Sequence, residues 1–211
     1  MKSKSANGLP FEKKYWDEVY GDGLDVDATF NAREHAAYLH SLFALMEIRV
    51  SSICDIGFGK AVLLKEFCRI FKPAKVLAVD PSLQMVGELV RKSWIKKYNI
   101  GVKNESVSEV RLNSFYSLTI LNSVAQYIPD QDLKKLLRML ASSTRYVYFS
   151  APTKSDYKRM KKELGFSDPY AYKRSKQDYI KMISPWFHFV SMNLLETKKK
   201  PGKFVDELFL F

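Results

Sequence analysis

Two glycines one residue apart, directly after an acid that ends an apolar run, form the stretch Asp55-Ile-Gly57-Phe58-Gly59-Lys-Ala61. Lacking a Cβ, such glycines allow a tight turn and let a ligand lie against bare main chain. A helix following the turn aims its free N–H groups and its positive dipole end at the same spot. A second acid, Asp80, closes another apolar run, Val76-Leu-Ala-Val, and is followed by Pro81 and Ser82. A third polar stretch, Asn122-Ser123-Val-Ala-Gln126-Tyr127, follows the apolar Ser117-Leu-Thr-Ile-Leu. The chemistry in view is recognition of a nucleoside-like ligand.

Elements that could hold these residues follow from the hydrophobic rhythm. Residues 50–55, 76–80 and 117–122 read as buried strands, 101–107 as a weaker one, and 146–150 as another. Between them lie helical patterns. Lys60 to Phe71 carries Ala61, Leu64, Cys68 and Phe71, and the stretch after Ser82 carries Met85, Val86, Leu89 and Val90. Asp130 is placed as the N-cap of a helix presenting Leu133, Leu136, Leu137 and Leu140. Ahead of the core, residues 10–20 and 28–48 look helical, the second with an apolar face of Ala37, Leu39, Leu42, Phe43, Leu45 and Met46. Gly21-Asp-Gly23 separates them. After the core come a mobile-looking basic and aromatic stretch over 152–175, a helix over 176–183, and two strands over about 187–197 and 204–211. The turn-like Lys199-Lys-Pro-Gly202 is expected to join those strands as an antiparallel hairpin.

Alternating strands and helices imply parallel βαβ units, hence an α/β, doubly wound, mostly parallel seven-stranded sheet with helices on both faces. Ligands in such sheets sit outside the carboxyl ends of the strands, where Asp55, the glycines and Asp80 fall. The chain reads as one domain over 1–211. Residues 1–48 form a helical cap or lid, 49–211 a Rossmann-like core, and 152–175 a substrate-side insertion.

A dinucleotide fingerprint would require a third glycine three residues after Gly59, where Val62 stands. The order acid, Gly-x-Gly, then a second acid closing the next strand resembles the class I S-adenosylmethionine-dependent methyltransferases. The Asn122-Ser-Val-Ala-Gln-Tyr stretch is similar to one in methyltransferase domains of peptide synthetases. The resemblance covers about residues 50–150 well and the C-terminal strands in outline. It implies a cofactor, S-adenosylmethionine, with S-adenosylhomocysteine as product. Asp55 would lie beside the methionine part of the cofactor, near its amino group. Gly57, Phe58 and Gly59 would pack against the cofactor, Asp80 would take the ribose hydroxyls, and Pro81 would lie against the adenine. Ser82, Asn122 and Ser123 would complete the pocket. Ala61 stands in place of the third glycine of the family pattern, and Ser117 where members often carry Asp. The third-strand acid that often meets the adenine amine is either Glu105 or replaced by Ser106. The catalytic residues are not named by any motif; Tyr20 and Tyr127 are the candidates. The implied activity is methyl transfer, with a small-molecule acceptor preferred. The alternatives are an RNA methyltransferase and a catalytically silent binding protein on the same fold.

Bulk properties narrow the field further. The 211 residues are 46% hydrophobic, 27% charged and 14% aromatic, the profile of a globular domain and not a disordered one. No apolar run approaches the ~20 residues that span a bilayer. Only Cys54 and Cys68 occur, without metal-ligand spacing, so buried free thiols, a cytoplasmic setting and no metal are expected. His35, His40 and His188 form no recognisable ligand or triad pattern. A net charge of +11 admits nucleic acid as a partner or serves solubility alone. Tyr157, Phe166, Tyr170 and Tyr172 among basic residues are candidates for the acceptor rim, and Tyr15, Trp16 and Tyr20 for a lid.

Overall fold

The computed structural model describes residues 30–204. Tyr15, Trp16, Tyr20, the 10–20 helix and most of the 204–211 strand therefore lie outside the described residues. Seven strands, β1 (Ser52–Ile56), β2 (Lys75–Asp80), β3 (Ile100–Asn104), β4 (Tyr116–Asn122), β5 (Thr144–Ser150), β6 (Phe187–Ser191) and β7 (Leu194–Thr197), form one sheet. Its order is β3-β2-β1-β4-β5-β7-β6. The pairs from β3 to β5 are parallel, and β7 pairs antiparallel with both β5 and β6.

Side chains alternate across the sheet, so each strand feeds two cores. On one face Ile53, Ala78, Leu118, Ile120, Tyr146, Tyr148 and Leu194 pack against three helices. These are α1 (Ala32–Leu45), α2 (Val62–Phe71) and α3 (Leu83–Val90). A short helix, α4 (Trp94–Lys97), leads into β3. On the other face Cys54, Ile56, Val79, Leu121, Val147 and Leu195 meet two helices that follow in the chain, α5 (Asp130–Ser143) and α7 (Lys176–Ile183). Between those two, α6 (Lys154–Leu164) lies in the connection from β5 to α7. The expected leucines of α5, Leu133, Leu136, Leu137 and Leu140, are all buried.

Several expectations are corrected. The hairpin does not turn at Lys199–Gly202 but inside the stretch read as a single strand. Asn193 takes a left-handed φ of 56° between β6 and β7, a conformation that asparagine tolerates. Helix α1 buries Ala32, Ala36, Leu39 and Phe43, while Leu45 is 81% exposed, because the inward stripe starts earlier than its densest apolar run. Asp130 is the first residue of α5 and not its cap; Pro129 holds the cap position without a side-chain bond. The 152–175 stretch, to which the sequence reading assigned no element, contains the helix α6. Thr153 and Asp156 form a reciprocal capping box that starts α6, and Gly165, at φ 66°, ends it.

Candidate functional site

The strand order reverses between β1 and β4, which places a crevice at their carboxyl ends. Asp55 stands near the end of β1 in register with Ala78 of β2 and Ile120 of β4. The chain then turns through Gly57 (φ 76°), Gly59 (φ 51°) and Ala61 (φ 57°), all left-handed. An added Cβ at Gly57 would overlap the Val124 side chain, so the glycine lets the loop after β4 close onto the loop after β1. The Gly57 amide donates to Val79 O at 2.7 Å, fixing the turn to β2. Ala61 is the left-handed N-cap of α2, with no side-chain cap bond.

Asp80 organises the site from β2. Its Oδ2 accepts the Gly59 amide at 2.9 Å and its Oδ1 accepts the Ser82 amide at 2.8 Å. One carboxylate thereby ties the glycine turn to the start of α3. Ser82 caps α3 through its Oγ, which accepts the Met85 amide at 3.3 Å. From β3, in register with Asp80, Asn104 donates Nδ2 to the carbonyls of Asp80 and Pro81, both at 3.0 Å. Pattern reading missed Asn104, because an asparagine ending a weak strand carries no motif.

Both acids are buried, Asp55 at 3% exposure and Asp80 at 4%. Burial pushes the Asp55 carboxyl well above its ordinary range, and the neighbouring Asp80 pushes it further. Burial also raises Asp80, against the pull of the Gly59 and Ser82 amides. No described residue forms a hydrogen bond or ion pair with the Asp55 carboxylate. Two buried acids held close without a cation form a pocket suited to a positively charged ligand bearing hydroxyls.

Glu105 and Ser106 differ in their local contacts. Ser106 is turned inward on its own loop, its Oγ 2.6 Å from Glu109 Oε2 and 2.9 Å from Ser108 Oγ. Glu105 accepts Lys103 Nζ at 2.9 Å on Oε1, whereas Oε2 is buried with no hydrogen-bond partner.

The loop after β4 is held from behind. Ser123, left-handed at φ 53°, donates its amide to Ser150 O at 2.8 Å, and Asn122 is in register with Ser150. Gln126 Nε2 donates to Ser123 O at 2.8 Å, while its buried Oε1 lacks a partner. Tyr127 donates its hydroxyl to the fully buried Asp168 at 2.8 Å, and Asp168 also accepts the Tyr170 amide. Arg174, 5% exposed, is the anchor that no motif revealed. It donates to Ala125 O at 2.7 Å, to Ile128 O at 2.5 Å, and twice to Asp130 Oδ1 at 2.9 and 2.7 Å. In sequence it sits in Lys-Arg-Ser-Lys, which reads as solvated charge.

Phe58 is buried beneath the glycine turn, and Pro81 is half-buried at its rim. The two cysteines are buried and free, with the Cys68 thiol pushed up by burial to about 12. His35 lies on α1, its Nδ1 2.9 Å from the Tyr148 hydroxyl. Among the described residues no cluster of three or more His, Cys, Asp or Glu could hold a metal, and no helix is long and apolar enough to cross a membrane.

Comparison with known proteins agrees with this geometry. A family model described as "Methyltransferase domain" matches residues 53–146. A search of curated protein sequences finds no match. Among solved structures, an S-adenosylmethionine-dependent methyltransferase from Clostridium acetobutylicum ATCC 824 aligns with TM-score 0.64 at 14% identity. It covers 90% of this chain and 97% of its own. Magnesium protoporphyrin IX methyltransferase from Synechocystis PCC 6803, with bound S-adenosylhomocysteine, aligns with TM-score 0.59 at 21% identity over 86% and 90% of the two chains. The plantazolicin methyltransferase BpumL, also with S-adenosylhomocysteine, aligns with TM-score 0.63 at 11% identity over 82% and 68%. Sheet order, glycine turn, paired acids and these alignments converge: the chain has the Rossmann-like fold of the class I S-adenosylmethionine-dependent methyltransferases.

Proposed function

We propose that this protein is an S-adenosylmethionine-dependent methyltransferase acting on a small-molecule acceptor. The observation that carries the reading is the buried pair Asp55 and Asp80, with no cation opposite Asp55 among the described residues. A dinucleotide would bring a pyrophosphate into that field and be repelled. The proposed cofactor brings an ammonium and a sulfonium, which two carboxylates attract.

In this reading Asp55 pairs with the cofactor's ammonium and Asp80 accepts the ribose hydroxyls while keeping its amide bonds to Gly59 and Ser82. Glu105 receives the adenine amine on Oε2, the oxygen that lacks a partner. Phe58 and Pro81 flank the bound ligand, and Asn122 and Ser123 border the reacting end. The bound cofactor supplies a methyl group already activated by positive sulfur. The protein's task is therefore alignment of the acceptor with that methyl, a positioning effect that can contribute several kcal/mol. Rim residues Tyr170 and Tyr172, 44% and 43% exposed, are placed to receive an acceptor with an apolar or aromatic body.

The test is a titration with S-adenosylhomocysteine on wild type and Asp80→Ala. Loss of a carboxylate that accepts two hydroxyls costs about 3 kcal/mol, or roughly 100-fold in affinity. Equal affinities would remove the ribose assignment, and no binding to wild type would overturn the reading.

A further inference from the structure

The two edges of the sheet differ in charge balance. At the carboxyl edge, segments 55–61, 80–84, 104–109, 122–132 and 150–175 hold nine Asp or Glu and eight Lys or Arg. At the amino edge, segments 69–75, 90–99, 112–117, 138–146 and 197–203 hold thirteen Lys or Arg and no acid. Residues 46–51 add Glu47, bridged to Lys203 at 3.3 Å, and Arg49. Helix dipoles account for part of this, since α2 to α5 end at the amino edge and cations suit helix C-termini. They do not account for Lys75, Arg145 or Lys198 to Lys200, which belong to strand ends and to the segment after β7.

The cations form a line with aromatic rings set among them. Arg145 and Lys200 stand over Phe115 at 5.9 and 4.7 Å, and Arg138 and Lys199 over Trp186 at 6.0 and 5.8 Å. Lys75 lies over Tyr116 at 5.3 Å. Of the thirteen, only Arg69 and Lys203 pair with a carboxylate among the described residues. Seven strands spaced about 4.8 Å apart make this edge about 29 Å long.

We infer that the amino edge is a docking surface for single-stranded nucleic acid, separate from the methyl-transfer site. A linear row of cations matches a chain of phosphates, and the guanidinium groups of Arg138 and Arg145 offer planes on which bases can stack. An anionic bilayer fits less well, because the rings of Phe115 and Trp186 are covered by cations and offer little to insert into lipid. The cofactor pocket lies about 20 Å away across a six-residue strand, so the nucleic acid docks without entering it.

The test uses the full chain and a fluorescent single-stranded RNA of about 20 nucleotides, read by anisotropy without cofactor. It stands whether or not the protein binds S-adenosylhomocysteine. Binding is expected in the micromolar range at low salt. Contacts to about four phosphates give a log–log salt slope near −3. Lys198→Gln/Lys199→Gln/Lys200→Gln is expected to weaken binding at least about tenfold and to shrink the slope by roughly 2. Should that variant melt early, Lys96→Gln/Lys97→Gln at the other end of the edge serves the same purpose. Lys154→Gln/Lys158→Gln/Lys176→Gln, an equal loss of three charges on the opposite side, is expected to leave affinity within about twofold. Absent binding, equal loss from both sets of variants, competition by S-adenosylhomocysteine, or tighter binding to phosphatidylserine vesicles than to RNA would each overturn the inference.

Discussion

Asp55 is costly to the protein when no ligand is bound. Its carboxyl is raised by burial and by Asp80, so the folded state holds a proton more tightly than the unfolded state does. The stability this confers is fully present below the ordinary carboxylate range and is lost as pH climbs from there through the raised value. A cationic ligand reverses the preference, and its affinity should rise with pH over the same range. Asp55→Asn is therefore expected to raise the melting temperature of the ligand-free protein at pH 8 by at least about 2 °C. That is the shift ~1 kcal/mol gives in a chain of this size. The same change should weaken S-adenosylhomocysteine binding tenfold or more. Scanning calorimetry and titration on one preparation check both halves. Ala61 offers a second residue-scale test. At φ 57° it pays about 1 kcal/mol of left-handed strain, so Ala61→Gly should stay within about 1 kcal/mol of wild type in urea unfolding. Strings of acids and glycines at fixed spacing made Asp55, Gly57, Gly59 and Asp80 readable from sequence. Asn104, Asp168 and Arg174 were not readable, since each acts on a partner 23 to 49 residues distant and no local pattern records such a contact.

Elements were legible where one periodicity ruled a whole segment. Helix α7 and the four leucines of α5 fall where the rhythm puts them, because each helix buries a single stripe. The hairpin was misplaced because β6 and β7 together read as one apolar run, and the two-residue turn at Met192-Asn193 lacks glycine and proline. The 152–175 segment was misjudged because α6 buries little more than Tyr157, so its pattern is mostly charge. What fixes that segment is Arg174, which binds two carbonyls of the loop after β4 as well as Asp130. Arg174→Ala strands those groups, and the expected cost is about 3 kcal/mol, or roughly 6–12 °C in melting temperature. If the clamp acts on the loop alone, affinity for S-adenosylhomocysteine should fall no more than about threefold. Thermal unfolding and titration of the variant check the pair of outcomes.

At the scale of the whole molecule, one topology explains both the pocket and the charge pattern. Parallel strands with helices returning antiparallel gather the loops after the strands at one edge and the helix ends at the other. The acids that hold a cationic cofactor lie at the first edge beside the basic helix α6, while the segments of the second carry thirteen lysines and arginines and no acid. The composition disclosed the net charge of +11 but not this placement, which appears only once the connections are folded. The basic second edge argues for a polyanion there.

The most direct measurement is calorimetric titration of wild type with S-adenosylhomocysteine from pH 4 to pH 8, across the range in which a raised carboxyl titrates, in buffers of differing ionisation heat. The account expects saturable one-to-one binding, with proton release that disappears in Asp55→Asn, because the ligand's ammonium displaces the proton from that carboxyl. Absence of binding, or binding with the same proton release in Asp55→Asn, would contradict it.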